Sequence, residues 1–406
     1  MRPTQPLSIA EFIILLGLMI SIVALAIDIM LPALAVIGTD LGAGHVNDTQ
    51  LIVTMMFAGF TIGQFFVGPL SDAYGRKPVI YIGYLIFFVG CLISIYAQDM
   101  TTMYIGRFMQ GIGAAAPRVI SSSLVRDLYS GHHMARIMSY IMTAFIFVPI
   151  VSPLLGQLII LSFPWQWLFW TIMGLGMVAA VWLALRQPET LPQEQRIPFT
   201  FAAVWGNLLI ILRNPSVMGY TITFGVISGA FIAYLSASRQ IFQDIYHTGE
   251  LFALYFSICA LAIGAASLLN AKLVMIYQMQ KIVQVSFWWM TIISLAAFFL
   301  FMQSGGIPHL WMFVAWVMMV FFGMGLAYAN LTSIAMEPLG DIAGIGAAVI
   351  GSLGTLLSLP LSYMIGRMID GTVLPFVGAY SVLGAVCLVI IYRTDAMVKA
   401  KAKADV

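Results

Sequence analysis

The stretch Gly68-Pro-Leu-Ser-Asp72-Ala-Tyr-Gly75-Arg76-Lys77-Pro78 separates two long apolar segments, Leu51–Leu70 and Val79–Ala97. Glycine and proline favour an end to the first segment. The proline at position 78 can begin a new helix, because the first turn of a helix leaves its N–H groups unpaired. The three charged side chains of the stretch stay hydrated if it lies at a membrane surface. The pattern therefore predicts a tight polar loop between two membrane helices.

The composition of the whole chain is typical of an integral membrane protein. Only 8% of its 406 residues are charged and 61% are hydrophobic. Runs of about twenty apolar residues recur, and this is the length that a helix needs to cross a bilayer. A net charge of +2 argues against nucleic acid as a partner. The first apolar run continues past Leu31 without a small-residue cleavage site, so we expect it to remain as a membrane span.

The apolar runs predict an all-α protein with twelve transmembrane helices. The predicted spans are 10–37, 50–70, 79–97, 101–124, 134–160, 166–185, 216–238, 251–275, 282–302, 309–335, 342–366 and 373–392. The longest polar interval divides them six and six. We therefore predict an N-terminal bundle at 1–185, a cytosolic linker at 186–215 and a C-terminal bundle at 216–406. Within the linker, Phe199–Leu212 is expected to form an amphipathic helix on the membrane.

The distribution of basic residues predicts the orientation of these spans. With the N-terminus inside the cell, fourteen of the eighteen Lys and Arg residues fall on the cytosolic side. Such an excess is what the positive-inside rule requires. Both termini are therefore expected to be cytosolic.

Three ionisable residues, Asp28, Arg107 and Arg118, lie well inside the predicted spans. Such groups are costly in a membrane and commonly mark a transport pathway. At 1.5 Å per helical residue, Asp28 and Arg107 both lie about 26–27 Å above the cytosolic face, so they can pair. Arg118 lies only about 9 Å from that face. It can serve equally as a structural brace or in transport, and a purely structural Asp28 pair also remains open.

A carboxylate and a guanidinium at the same depth suggest proton chemistry. An apolar setting favours the neutral acid, whereas a nearby guanidinium favours the carboxylate. If hydration or substrate changes this balance, Asp28 can bind and release a proton while Arg107 remains a fixed positive charge. Gln110 lies on the same helical face as the two arginines, as expected of a helix that lines a cavity.

The opening stretch resembles the loop between helices 2 and 3 of the major facilitator superfamily. Other stretches are similar to its drug:proton antiporters, and most to the Bcr/CflA branch. These stretches are Asp28-Ile-Met-Leu-Pro-Ala, Arg107-Phe-Met-Gln-Gly-Ile-Gly-Ala-Ala, Arg126-Asp-Leu-Tyr and Asp341-Ile-Ala-Gly. The resemblance implies a major facilitator fold that works by alternating access between two six-helix bundles.

The resemblance also implies roles for particular residues. It assigns a cytosolic gate to Gly68, Asp72, Gly75, Arg76 and Lys77, and it implies that Asp72 meets the start of the eleventh helix near Asp341. It assigns the antiporter motif of the fifth helix to Pro149, Pro153 and Gly156. Ser152 and Gln157 stand there in place of family glycines, so an ordinary proline-kinked span remains the alternative.

In this fold, helices 1, 4, 7 and 10 line a central cavity. The residues that we assign to the substrate cavity are Asp28, Arg107, Gln110, Arg118, Tyr220, Phe224, Tyr234, Tyr328 and Asn330. Aromatic side chains at helical spacing also serve as lipid contacts or core, and that alternative remains open.

Together these features predict a monomeric inner-membrane exporter that exchanges small hydrophobic drug-like compounds, such as phenicols or bicyclomycin, for protons. We expect contact with membrane lipid, and no cofactor, metal or enzymatic activity. The sequence has no Walker loop (G-x-x-x-x-G-K-[S/T]) and no nucleophile–base constellation. Two alternatives remain: a proton-coupled transporter of a sugar or amino acid, and a membrane sensor that binds ligand without transport.

Overall fold

The computed structural model describes residues 7–369 and 371–404. Side chains are described throughout these ranges except at 46, 47, 131, 132, 135, 139, 142–146, 201, 203, 204, 207, 340–344 and 401–404.

The described ranges fold into fourteen α-helices, and they contain no β-strand. The helices are α1 (Ile9–Asp28), α2 (Leu34–Asp40), α3 (Gln50–Tyr74), α4 (Arg76–Ile95), α5 (Met100–Leu128), α6 (Gly131–Ser162), α7 (Gln166–Arg186), α8 (Phe201–Arg213), α9 (Pro215–Arg239), α10 (Phe252–Leu273), α11 (Met279–Met302), α12 (Leu310–Met336), α13 (Ala343–Arg367) and α14 (Leu374–Ala404). Every predicted span overlaps at least one of them, so the all-α fold class is confirmed.

Ten helical segments in the described ranges are long and apolar enough to cross a membrane. The two other predicted spans correspond to α5 and α6. Helix α5 is less apolar because it carries arginines and several glycines among its membrane-depth residues. In α6, the apolar stretch Phe147–Ser162 counts as a shorter apolar helix.

Short-range interactions fix several helix ends. The Asp99 carboxylate caps α5 by accepting a hydrogen bond from the backbone N–H of Thr102 at 2.8 Å, and this bond lowers the pKa of Asp99. Asn214 caps α9, whose first residue is Pro215. Gly75 separates α3 from α4 with a φ of 99°, a left-handed value that glycine adopts without steric cost.

The first predicted span is divided into two helices. Helix α1 ends at Asp28, a 3₁₀ turn covers Leu31–Ala33, and α2 follows. The physical cause is Pro32, which has no N–H to donate and whose ring would clash with the carbonyl one turn before it. The membrane span predicted for 10–37 is confirmed as one apolar helical segment, Ile9–Asp40, and Asp28 lies at the break inside it.

The chain divides into two compact units, Met1–Val204 and Trp205–Val406, and the division falls inside α8. In the first unit, α5 packs against α3 and α4, and α1 packs against α6. In the second unit, α9 packs against α13, α10 against α12, and α11 against α14. The predicted linker helix is confirmed as α8, and its position on the membrane surface stays a prediction. Cys91, Cys259 and Cys387 are free thiols buried inside the two units.

Candidate functional site

Asp28 is a buried carboxylate at the break in the first span. Asp28 is only 3% exposed, and its carboxylate has no hydrogen-bond or ion-pair partner among the described residues. Burial of an unpartnered polar group is costly, and burial of a charge costs more. A carboxylate in this position therefore requires a partner, water or a proton at some point in the working cycle.

Helix α6 supports the chain next to Asp28. A Cβ atom on Gly156 would overlap the backbone carbonyl oxygen of Ile29, so only glycine allows this approach. One turn earlier, the Ser152 hydroxyl donates a hydrogen bond to the Leu25 carbonyl at 3.4 Å. The predicted antiporter motif thus lies directly against the segment that carries Asp28. The serine that replaces a family glycine uses its hydroxyl for this contact.

Arg107 lies fully buried in a chain of hydrogen bonds between α3, α4 and α5. Its Nε donates to the Ile52 carbonyl at 3.3 Å, and its Nη1 donates to Gln110 Oε1 at 2.5 Å. The Gln110 amide then donates to Ser94 Oγ at 3.1 Å, and Ser94 donates to the Gly90 carbonyl at 3.0 Å. Within the described part of the chain, Arg107 Nη2 has no hydrogen-bond partner.

Asp28 and Arg107 do not form an ion pair in this structure. The Arg107 guanidinium is directed to Ile52 and Gln110, whereas the backbone on either side of Asp28 contacts α6. The depth of two residues in a membrane decides whether they are level, whereas the direction of each side chain around its helix decides whether they meet. Arg118 is half-buried further along α5, in the turn after Pro117. Contact between Asp28 and Arg107 in another state stays a prediction.

The stretch 68–78, which we call the gating loop, is helical except at Gly75, because α3 runs to Tyr74 and α4 begins at Arg76; the polar loop predicted over this stretch is therefore wrong. The stretch is organised around Arg76, which is only 3% exposed and not hydrated as predicted. Its Nε donates to Asp127 at 2.9 Å, and its Nη1 donates to the Ser71 hydroxyl at 2.9 Å and also to Asp72. Ser71 in turn donates to the Gly68 carbonyl at 2.9 Å. One guanidinium therefore joins the end of α3, the start of α4 and the end of α5, because a planar donor group can serve several acceptors at once.

Lys77 is held differently from Arg76. Its ammonium donates to the carbonyl of Gln187 at 2.6 Å, beyond the end of α7. The predicted partner of Asp72, the helix start near Asp341, falls on side chains that are outside the described residues, so this contact stays a prediction.

In the second unit, an aromatic group on α9 and α12 contains two of the predicted cavity residues. Phe224 and Tyr328 make a T-shaped contact with ring centroids 5.3 Å apart, and both are half-buried. The Tyr328 hydroxyl donates to Ser228 Oγ at 2.9 Å. Tyr234 is only 1% exposed and contacts Phe321 edge-on at 4.7 Å. Phe224 and Tyr328 are therefore partly accessible, whereas Tyr234 and Phe321 belong to the buried core of the second unit.

Two other predicted cavity residues make hydrogen bonds inside the second unit. The buried Tyr220 hydroxyl donates to Asp395 on α14 at 2.7 Å. The buried Asn330 amide donates to Asn270 on α10 at 2.7 Å. Both bonds tie helices together. Their assignment to a substrate cavity stays a prediction.

Sequence reasoning missed three residues that organise these sites. Ser94 on α4 and Glu189 after α7 carried no pattern that singled them out. Asp127 was noted only as part of the Arg126-Asp127-Leu-Tyr stretch, not as the partner of Arg76. The available signal was topological, because the C-terminal ends of α3 and α5 meet where these helices pack.

Comparison with known proteins identifies the family. Residues 16–362 match the family model of the Major Facilitator Superfamily. An uncharacterized MFS-type transporter, YdgK of Bacillus subtilis (strain 168), is 32% identical over 355 residues, 87% of each chain. A bicyclomycin resistance protein homolog of Haemophilus influenzae is 30% identical over 264 residues, covering 65% of this chain and 66% of the relative.

A more distant relative and a solved structure extend this picture. Multidrug resistance protein D of Escherichia coli (strain K12) is 25% identical over 369 residues, covering 86% of this chain and 88% of the relative. The crystal structure of a D-xylose-proton symporter matches with a TM-score of 0.75 over 94% of this chain and 97% of its own, at 16% identity, which shows the shared fold alone. The match to the family model over most of the chain settles the class: this multi-pass membrane protein is a transporter, not an enzyme, and it belongs to the Major Facilitator Superfamily.

Proposed function

We propose that this transporter is a drug:proton antiporter of the bacterial inner membrane. It exports small hydrophobic compounds, such as phenicols or bicyclomycin, in exchange for protons. The names of two relatives, a bicyclomycin resistance protein homolog and multidrug resistance protein D, support this class of substrate. The observation that carries the proposal is the carboxylate of Asp28, which is buried and has no partner among the residues that the structure describes.

Asp28 is the proposed proton carrier. A charged carboxylate without a partner is costly in an apolar site, and a bound proton removes that cost. When the site opens to water, the ionised form is solvated and the proton can leave. Substrate in the cavity favours the ionised form of Asp28. Substrate and proton therefore bind in competition.

Arg107 is the proposed fixed positive charge. Its guanidinium remains charged in any physiological state, and one of its nitrogens has no partner in the described part of the chain. Such a nitrogen is available to a carboxylate or a substrate oxygen when α1 and α5 move relative to each other. The bond between Gln110 and Arg107 sets the direction in which this nitrogen points.

The remaining parts of the proposal follow the family mechanism. The gating loop, with Gly68, Asp72, Gly75, Arg76 and Lys77, opens and closes the cytosolic side, and both termini lie in the cytosol. The half-buried rings of Phe224 and Tyr328 accommodate apolar molecules of varied shape. Alternating access brings Asp28 to the two sides of the membrane in turn. A monomer contains every one of these parts.

The test uses everted membrane vesicles that hold a pH gradient, acidic inside and read by a fluorescent amine dye. A phenicol added to wild-type vesicles is expected to dissipate part of the gradient, because each exchange carries protons out of the vesicle. Asp28→Asn should give no dissipation, since an amide at this position binds no proton in the physiological range.

A matched control is Asp40→Asn. Asp40 lies twelve residues further along the same segment, is exposed, and accepts a hydrogen bond from the Trp165 indole at 2.9 Å. An amide oxygen can accept the same bond, so this variant should dissipate the gradient as the wild type does. Equal dissipation by wild type and Asp28→Asn would place the proton elsewhere. Dissipation by a sugar or an amino acid, and not by a phenicol, would favour a metabolite transporter.

A further inference from the structure

The first part of the linker lies against the gating loop. The N–H of Ile197 donates to the Asp72 carbonyl at 3.1 Å, and Lys77 Nζ donates to the Gln187 carbonyl at 2.6 Å. We call residues 187–197 the linker strap. Both of its ends are hydrogen-bonded to the loop, so this part of the linker packs with the N-terminal unit.

Glu189 makes the central contacts of the linker strap. Its Oε1 accepts the N–H of Arg76 at 3.0 Å, and its Oε2 accepts the N–H of Lys77 at 2.9 Å. These are the first two N–H groups of α4, and a helix leaves such groups unpaired. A carboxylate there also interacts favourably with the positive end of the helix dipole. The Glu189 carboxylate further accepts the N–H groups of Thr190 at 3.0 Å and Leu191 at 3.1 Å, which fix its orientation.

The neighbours of Glu189 are adapted to this contact. A Cβ atom on Gly75 would lie 2.9 Å from Glu189 Oε2 and 2.8 Å from Arg196 Nη2, so a larger residue would push the linker strap away. The Thr190 hydroxyl donates to Asp127 at 2.8 Å. Asp127 is also the partner of the Arg76 side chain. The linker strap therefore binds Arg76 at its backbone directly, and at its side chain through Asp127.

From these contacts we infer that Glu189 is a positioning residue for the gating loop, and that the linker strap is part of the cytosolic gate. This inference rests on the gating role proposed above. Glu189 fixes the start of α4, from which the Arg76 side chain reaches Asp72 and Asp127. The order of that charge cluster thus depends on a residue about 110 positions further along the chain, between α7 and α8.

The first test measures hydrogen exchange of full-length protein in lipid nanodiscs, with fragmentation that resolves residues 74–80. Glu189→Gln keeps the shape of the side chain, but its NH₂ group must face one of the two N–H donors. Each lost bond to a charged acceptor corresponds to exchange that is about 10- to 100-fold faster. We expect this increase at the amides of Arg76 and Lys77.

The matched control is Glu194→Gln. Glu194 belongs to the same linker strap, is exposed, and makes no hydrogen bond to the described residues. The change in charge is identical, so exchange at 74–80 should remain that of the wild type. Unchanged exchange at Arg76 and Lys77 in Glu189→Gln would overturn the inference. Faster exchange spread evenly over the N-terminal unit would also overturn it, since that result would indicate a general loss of stability.

The second test measures phenicol transport in proteoliposomes. A disordered gate slows the change between the two states and leaves the binding site intact. Glu189→Gln should therefore lower the maximal rate while the KM stays within about twofold of wild type, and Glu194→Gln should change neither. A raised KM with an unchanged maximal rate would contradict the positioning role. If the wild type carries no phenicol, the proposed function fails, and the exchange experiment still decides whether Glu189 orders the loop.

Discussion

The contact between Gly156 and Ile29 leads to a quantitative prediction. In Gly156→Ala, the new Cβ would overlap the Ile29 carbonyl oxygen and lie 2.8 Å from the carbonyl carbon. Carbon atoms in favourable contact are about 3.5–4.0 Å apart, so α6 and α1 must separate by at least about 0.7 Å. Overpacking of this kind costs about 1–3 kcal/mol, and the upper part of this range applies because both colliding groups belong to backbones.

The helix propensity of alanine offsets about 1 kcal/mol of this cost, so Gly156→Ala should lose about 2 kcal/mol of stability. For a unit of about 200 residues, the midpoint of thermal unfolding should fall by about 4–8 °C. We also expect the loss of phenicol-driven gradient dissipation, because the displaced segment carries Asp28. Thermal unfolding followed by tryptophan fluorescence in detergent measures the first effect, and everted vesicles measure the second.

Gly174→Ala is the matched control for this prediction. Gly174 is exposed on α7, and a Cβ there meets no atom within 4 Å. The same chemical change should stabilise the helix by about 1 kcal/mol and raise the unfolding midpoint by about 2–4 °C. The two substitutions should therefore have effects of opposite sign. Equal shifts for both would refute the reasoning, since they would mean that the approach of α6 to Ile29 has no energetic consequence.

Three further predictions concern buried or capping hydrogen bonds. Ser94→Ala leaves the buried Gln110 amide without its acceptor and should cost about 1–3 kcal/mol of unfolding free energy, whereas Ser94→Ala combined with Gln110→Leu should cost less than the sum of the single changes. Asn330→Leu should destabilise the C-terminal unit by a similar amount because it leaves Asn270 Oδ1 unpaired, and adding Asn270→Leu should restore part of the loss. Unfolding in denaturant measures the free energies of the single and double variants of both pairs. Strictly additive free energies within a pair would contradict the predicted hydrogen bond. Asp99→Ala should lower the unfolding midpoint at neutral pH. Because the pKa of Asp99 is lowered in the folded protein, its stabilising effect is present above the unfolded-state pKa and is lost as the pH falls through the folded value. The difference between wild type and this variant should shrink on acidification, and a constant difference would contradict the charge-based cap.

The fold could be predicted because its signals are local. A run of about twenty apolar residues specifies a membrane helix wherever it occurs. The contact between Asp72 and Arg76 was not predicted, because the two residues belong to different helices that only Gly75 connects. Pro32 indicates the helix break after Asp28. This break was not predicted, because the apolar residues continue on both sides of Pro32.

The partners of the buried arginines could not be predicted in the same way. Counting residues gives the depth of Arg107 but not its rotation about the axis of α5 or its χ angles, which direct the guanidinium to Ile52 and Gln110. The contact of Glu189 with the first turn of α4 depends on how the chain returns after α7. That path is decided by packing of whole helices, and no short motif encodes it.

The burial of all three native cysteine thiols has a practical consequence. Cys91, Cys259 and Cys387 are buried, so a maleimide reagent has little access to them in the folded protein. A cysteine introduced at an exposed position at a helix end, such as Tyr96 in the first unit or Ile276 in the second, would react selectively without removal of the native residues. Spin labels or fluorophores placed at two such positions can then report the distance between the units as substrate and pH are varied. The buried cysteines thus make the unaltered chain a suitable background for spectroscopy of the transport cycle.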